Sequence, residues 1–419
     1  MEGRRAKRHV FLAPTENSQW EEEMKKFSKF IIGCASAMSL GAPAAYAEDN
    51  ELTINIVASM SGAFANFGLQ AEKGARLAIE EAGEAAGMPL KMVVIDTESN
   101  AGKGARKVQA DLSENGPGIY VGTTLSSTAL AVGQAVHEAG GVYINGGGAD
   151  ELTGEKCNAS MYRWSAPTYG AVNASLRPVL EAHPDIKRVY TITPQYVFGE
   201  AMLTNAKAVL EEQGIEHVGN SYHSLKDKEF SGFIAQAQAA NPDLLILLNF
   251  GSQAAASMQQ AVNFGLKERM KILMVWSSGL DTMQSLGAEV SNGVYFGAQY
   301  WHEEEAAGNQ ALVALTQEKL GEAPNYPLAS YYQMTKVMID AVNATGGADP
   351  EAIKAQLAGL TYDGITGVEM VSADNNQVEK NFYLLLGKDA ASQTDENDFA
   401  DVVSKGKFFL TAAEAGCEK

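Results

Sequence analysis

The sequence predicts an α/β protein built as two doubly wound parallel-sheet lobes, and three observations carry that prediction. Short apolar strand patterns alternate with helix-period stretches from Leu52 to Val275, and crossovers of that length force parallel pairing with helices on both sheet faces. A chain of 419 residues has room for two domains of ordinary size. Two consecutive strands, Ile119–Val121 and Val142–Ile144, run into polar or glycine-rich loops. Open α/β folds bind small molecules at that edge.

Taken in order, the first lobe opens with the strand Leu52–Ser59, a glycine-bearing loop Met60–Gly68 and a helix over Leu69–Ala86 whose Ala71, Ala75, Ala78, Ile79 and Ala82 share a face. Strand Lys91–Asp96 and helix Lys103–Ser113 lead to the strand Ile119–Val121. Gly122–Ser127 then gives way to the helix Thr128–Ala139, so the hydroxyls of Ser126 and Ser127 stand where free backbone N–H groups begin a helix and can converge on an anion or a polar ligand group. After Val142–Ile144 the run Asn145–Gly148 contains three glycines, where backbone can lie directly against a bound molecule. The bland alternative is a serine cap and a turn.

Helix Tyr169–Ala182 starts the second lobe, followed by strand Arg188–Thr193, helix Gly199–Gln213, strand His217–Tyr222, helix Phe230–Ala239, strand Leu244–Leu248, helix Ser252–Phe264 and strand Lys271–Val275. A further strand, Gly293–Tyr300, precedes helices at Ala307–Leu320 and Leu328–Ala344 and a capped one from Asp349-Pro350. Val368–Ser372 and Asn381–Leu386 read as a hairpin around Asp374-Asn375-Asn376, and Ala391–Ala400 as loop.

Ahead of this body stands MKKFSKFIIGCASAMSLGAPAAYA: Lys25, Lys26 and Lys29, an apolar core, then Ala45-Tyr46-Ala47. That order makes residues 24–47 a secretory signal peptide cut after Ala47, with residues 1–23 an upstream extension and Met24 the true start. Ile31–Cys34 has the local look of a lipoprotein box, the lesser alternative because the apolar run before Cys34 is short. The formal charge is −19; removing residues 1–47 takes seven basic and five acidic side chains, leaving 25 against 46 and a charge of −21. Such a chain has no basic face for nucleic acid or an anionic membrane. Cys157 and Cys417 remain of three cysteines, an even count in an exported protein, which predicts a disulfide between them.

The order of elements and several short words resemble the type I periplasmic substrate-binding proteins, specifically the branched-chain (leucine/isoleucine/valine) amino-acid binding family. The words are Ile56–Gly62 with Phe67-Gly68, the serine loop Gly122–Thr128, Ala149–Thr153, Pro194–Gly199 and Pro327–Tyr332. The resemblance implies two lobes (48–165 with 300–360, and 168–295 with 366–400, the tail 401–419 beyond), joined by a three-crossover hinge near Ser165–Thr168, Tyr295–Tyr300 and Leu360–Thr366. It also implies a periplasmic monomer that passes its ligand to an ABC permease in the inner membrane. Ser126, with Ser127 beside it, matches the serine that takes a ligand carboxylate, and Gly146 and Gly148 match the groups on the ligand's α-carbon, although Gly148 lacks the family's threonine hydroxyl. Phe67 and Phe198 replace tyrosines, and Ser278, in Trp276–Gly279, stands where a glutamate pairs with an α-ammonium. Phe250 and Trp276 complete an aromatic wall; Tyr331 and Tyr332 read as packing. With Ser278 at the glutamate position and Asp281 three residues beyond it, a small carboxylate or amide with an apolar part is expected ahead of a free branched-chain amino acid.

An enzyme is the first rival. No G-x-G-x-x-G follows the first strand, no phosphate-binding P-loop and no G-x-S-x-G elbow occurs, and His137, His183, His217, His223 and His302 lack metal-ligand spacing. These absences predict no catalysis, no cofactor and no metal. An exported sensor subunit is the second rival, since the same fold serves ligand-sensing proteins.

Overall fold

The computed structural model describes residues 51–419. The upstream extension, the signal peptide and Cys34 lie outside the described residues.

Strands β1 (Leu52–Ala58), β2 (Glu84–Ala85), β3 (Met88–Asp96), β4 (Ile119–Gly122), β5 (Val142–Asn145) and β6 (Met161–Arg163) form one sheet in the order β2-β3-β1-β4-β5-β6. All pairs are parallel except the short β2–β3 turn-back. Ile54, Ile56 and Val57 of β1 are wholly buried, as a strand covered on both faces requires. The cover comes from helices α1 (Ala65–Ala82), α2 (Ala101–Asn115) and α3 (Ser126–Glu138). The small residues of α1 let another helix come close: a Cβ on Gly74 would collide with the Leu328 carbonyl.

The second lobe carries α4 (Thr168–Ala182), β7 (Arg188–Pro194), α5 (Val197–Glu212), β8 (Glu216–His223), α6 (Ser231–Ala240), β9 (Leu244–Leu247), α7 (Gly251–Asn263), β10 (Lys271–Ser277), α8 (Leu280–Ser291) and β11 (Tyr295–Ala298). The chain then returns to the first lobe with α9 (Ala307–Leu320), α10 (Tyr326–Thr345) and α11 (Pro350–Leu357) and a three-stranded sheet of β12 (Thr361–Gly364), β13 (Gly367–Val371) and β14 (Val378–Glu379). Finally β15 (Phe382–Gly387) and β16 (Ala400–Gly406) add antiparallel strands to the second lobe, giving the order β16-β15-β11-β10-β9-β7-β8.

Three expectations are corrected here. Val368–Ser372 does not pair with Asn381–Leu386: β13 pairs with β12 and β14, while β15 pairs with β11. The reason is burial, since Val371 and Val378 pack in the first lobe's core and Phe382 and Leu384 in the second's. The third crossover therefore lies at Lys380-Asn381, not at Leu360–Thr366, and residues 366–379 sit with the first lobe. The tail from residue 401 is not separate either, because β16 is hydrogen-bonded into the second sheet.

At the hinge the three crossovers are tied together. The Ala166 amide donates to Gln299 Oε1 at 2.9 Å, and Gln299 Nε2 returns a bond to the Ala166 carbonyl at 3.2 Å. The fully buried Lys380 donates to the Gln299 carbonyl at 2.5 Å and lies 4.2 Å from the ring centre of Trp164, whose Nε1 donates to Glu369. Desolvation pulls its ammonium down to about 7. A fourth link exists. Beyond β16 the chain runs to α12 (Ala412–Ala415), started by a Thr411/Glu414 capping box, and Cys417 is bonded to Cys157 of the first lobe with a Cα–Cα distance of 5.6 Å.

Candidate functional site

Where the carboxyl ends of the two sheets face each other, loops rather than strands supply the side chains, as in other open α/β folds. The first lobe contributes the β1–α1 loop with Phe64, the β4–α3 loop with Thr124, and Gly146–Gly148 after β5; the second contributes the starts of α5 and α7 and the end of β10. Phe64 stacks on Phe250 across the cleft, with centroids 4.9 Å apart and planes 7° apart. Phe198 meets Trp276 edge-on at 5.1 Å and Phe250 at 5.5 Å. The lobes are thus closed on one another through aromatic rings.

Six of the expected residues, Phe67, Gly146, Gly148, Phe198, Phe250 and Trp276, line one small cavity of about 10 Å³, together with Thr124 and Tyr326. The rings nearly fill it because Gly148 has no side chain: a Cβ there would lie 2.7 Å from both Phe198 and Trp276. Tyr326 is bonded to Ser165 at 2.9 Å, and Ser165 in turn donates to the Gly146 carbonyl. A larger cavity of about 170 Å³, which shares Phe67 with it, is lined by Phe64, Asn66 and Phe67 from the first lobe and by Ser252, Ser278, Asp281 and Thr282 among the residues of the second.

Ser126 and Ser127 line neither cavity. Ser126 is fully buried, and its hydroxyl oxygen accepts the amides of Gly148 at 3.1 Å and Ala149 at 3.0 Å, so it holds the glycine loop in place. Ser127 is half-buried in the first turn of α3. Ser278, by contrast, is buried beside the larger cavity, with its amide on the Thr282 hydroxyl at 3.0 Å. Three positions beyond it, Asp281 in the first turn of α8 has an Oδ1 shut off from solvent with no hydrogen-bond partner. Desolvation pushes its carboxyl up to about 7, against weaker opposing bonds from the amides of Thr282 and Asp281 itself.

Phe64, Ser252 and Tyr326 went unnoticed in the sequence, and Thr124 was passed over inside the serine loop Gly122–Thr128. Phe64 sits in a loop already marked by glycines, and Tyr326 directly follows the helix-capping Asn325; those are the only local signals, and neither points across a cleft. Among the described residues no group of three or more His, Cys, Asp or Glu is placed to hold a metal, and no helix is long and apolar enough to cross a membrane. His183 meets Tyr295 and His217 meets Thr191, each at 2.9 Å.

Two α/β lobes, three crossovers and a cavity between facing strand ends define a two-lobed clamp for a small solute. The chain belongs to the periplasmic binding protein family, whose model matches residues 51–391. It is similar to the crystal structure of an amino acid ABC transporter substrate-binding protein from Pseudomonas fluorescens Pf-5, at 51% identity and a TM-score of 0.85 over 88% of this chain and 99% of that one. Leu/Ile/Val-binding protein homolog 3 of Brucella melitensis is 24% identical over 78% of this chain and 88% of its own length. A solute-binding protein of an ABC transporter from R. palustris, solved with benzoate, shares the fold at a TM-score of 0.77 and 21% identity, covering 88% of this chain and all of that one.

Proposed function

We propose that this protein is the solute-binding component of an ABC importer, closing its lobes on an amino acid or a related small polar molecule and presenting it to a permease in the inner membrane. The observation that carries this reading is the cavity between the lobes, with Phe64 of one stacked on Phe250 of the other and a hinge of three crossovers behind. Gly146, Gly148, Phe67, Phe198, Phe250 and Trp276 form the wall against the ligand, with Ser278 at its polar end. The half-identical relative from Pseudomonas fluorescens, named for amino-acid transport, supports the ligand class. Among the described residues neither cavity is lined by His, Cys or Lys. The chain works as a monomer, released into the periplasm after cleavage behind Ala47.

Solution scattering tests the reading. A saturating ligand found by thermal-shift screening should lower the radius of gyration as the lobes close. An unchanged radius with calorimetrically proven binding refutes the clamp.

A further inference from the structure

The loop that follows β5 is held by both sides of its backbone. The Ser126 hydroxyl takes the amides of Gly148 and Ala149. Arg163, the last residue of β6, takes the carbonyls of the same two residues, its Nη1 donating to Ala149 at 2.5 Å and to Gly148 at 3.4 Å. The Gly148 carbonyl also accepts the Thr168 amide at 2.8 Å, at the start of α4. The rest of the guanidinium fork turns the other way: Nε donates to Gln377 Oε1 at 2.6 Å and Nη2 to the Thr153 hydroxyl. Gln377 in turn donates to the Ser165 carbonyl at 2.9 Å. One side chain thus joins the glycine loop to the segments that lead into the first and third crossovers.

Arg163 is only 1% exposed and lines neither cleft cavity, and the groups that accept its hydrogen bonds are all neutral. Desolvation pulls its guanidinium down to about 10, opposed by the charge of Asp150, so it stays a cation at neutral pH. A buried charge without a bonded carboxylate is costly to keep. What it provides is reach: a planar fork can hold two carbonyls, an amide oxygen and a hydroxyl at once, which an ammonium or a neutral side chain cannot. Placement matters at this loop, because Phe198 and Trp276 of the second lobe close against bare backbone where a Cβ on Gly148 would stand. We propose that Arg163 is a positioning residue for solute binding, fixing the Gly146–Gly148 loop against the hinge segments so that closure on a solute costs little further ordering. The proposal rests on the binding-protein reading and adds to it a residue outside the cleft.

Hydrogen exchange read by mass spectrometry on the full mature protein tests the positioning without any solute. Arg163→Lys keeps the charge but loses the fork, and should speed exchange about tenfold or more in the peptide covering residues 145–153 while β9 and β10 of the second lobe exchange as in wild type. Val342→Ala, in the first lobe's core on α10, is the control for general destabilisation. Calorimetry with L-leucine, L-phenylalanine and benzoate then reads affinity. Whichever probe wild type binds should bind about 10- to 100-fold more weakly to Arg163→Lys, and as in wild type to Val342→Ala. Thr153→Val leaves Arg163 in place and removes one acceptor; it should move both readouts the same way by less, and it carries the test if Arg163→Lys does not fold. Wild-type exchange over 145–153, wild-type affinity, or a Val342→Ala control that reproduces both changes overturns the proposal. If none of the three probes binds, the exchange pattern alone decides it. The binding-protein reading falls separately, on the absence of lobe closure in scattering.

Discussion

Asp281→Asn makes a prediction about the stability of the empty protein. The carboxyl titrates near 7 in the folded chain against an ordinary 3.8. A difference of about three units is worth ~4 kcal/mol at most. The residue as a whole is only partly buried, and solvent screening reduces the penalty, so about 2 kcal/mol is the working figure. Because the folded pKa is raised, the folded state favours the protonated acid. Stability from this group is complete below pH ~4 and is lost as the pH climbs through ~7. Asparagine has the same shape and no charge. Urea unfolding without ligand should therefore show wild type and variant alike near pH 4, a gap opening between pH 4 and 7, and the variant about 2 kcal/mol more stable at pH 8. A variant equal to or less stable than wild type at pH 8 would refute the claim that desolvation outweighs the amide hydrogen bonds at the Asp281 carboxyl.

Other perturbations separate the structural residues from the recognising ones. Ser126→Ala strips the acceptor from the buried amides of Gly148 and Ala149 and should cost about 2–3 kcal/mol in denaturant unfolding; unchanged stability would free the hydroxyl for a ligand role. Gly148→Ala puts a methyl 2.7 Å from Phe198 and Trp276 and should disfavour closure by about 1–3 kcal/mol, read as roughly 10- to 100-fold weaker ligand binding; unaltered affinity means the rings move aside freely. Paired Cys157→Ser and Cys417→Ser substitutions open a loop whose ends are 260 residues apart. They should lower stability by about 2–5 kcal/mol, and free thiols titrating in the oxidised, denatured wild type would contradict the bond.

Much of this architecture was legible in the chain itself. Parallel strands covered on both faces read as nearly unbroken apolar runs, so Leu52–Ala58, Ile119–Gly122 and Leu244–Leu247 declared themselves locally, and the helix starts after them marked the edge where the two sheets face each other. The disulfide followed from counting two cysteines in an exported protein, an inference that needs no geometry. The aromatic wall was found because its members directly follow strands.

Contacts between distant segments decided the rest. Which lobe holds β13 and which holds β15 depended on where Val371 and Phe382 found a core, and no local pattern distinguishes two half-apolar strands separated by a turn. Ser126 looked free at its helix start, yet its hydroxyl is engaged by amides 22 and 23 residues away. Phe64 and Phe250 stack although nearly half the chain separates them. Asp281 shows the same limit most plainly: its sequence neighbours could not reveal that the turn after β10 would point its carboxyl into a cavity offering no partner. Periodicity and propensity are set by neighbours along the chain, whereas burial, charge pairing and orientation are set by neighbours in space, and only folding brings those together.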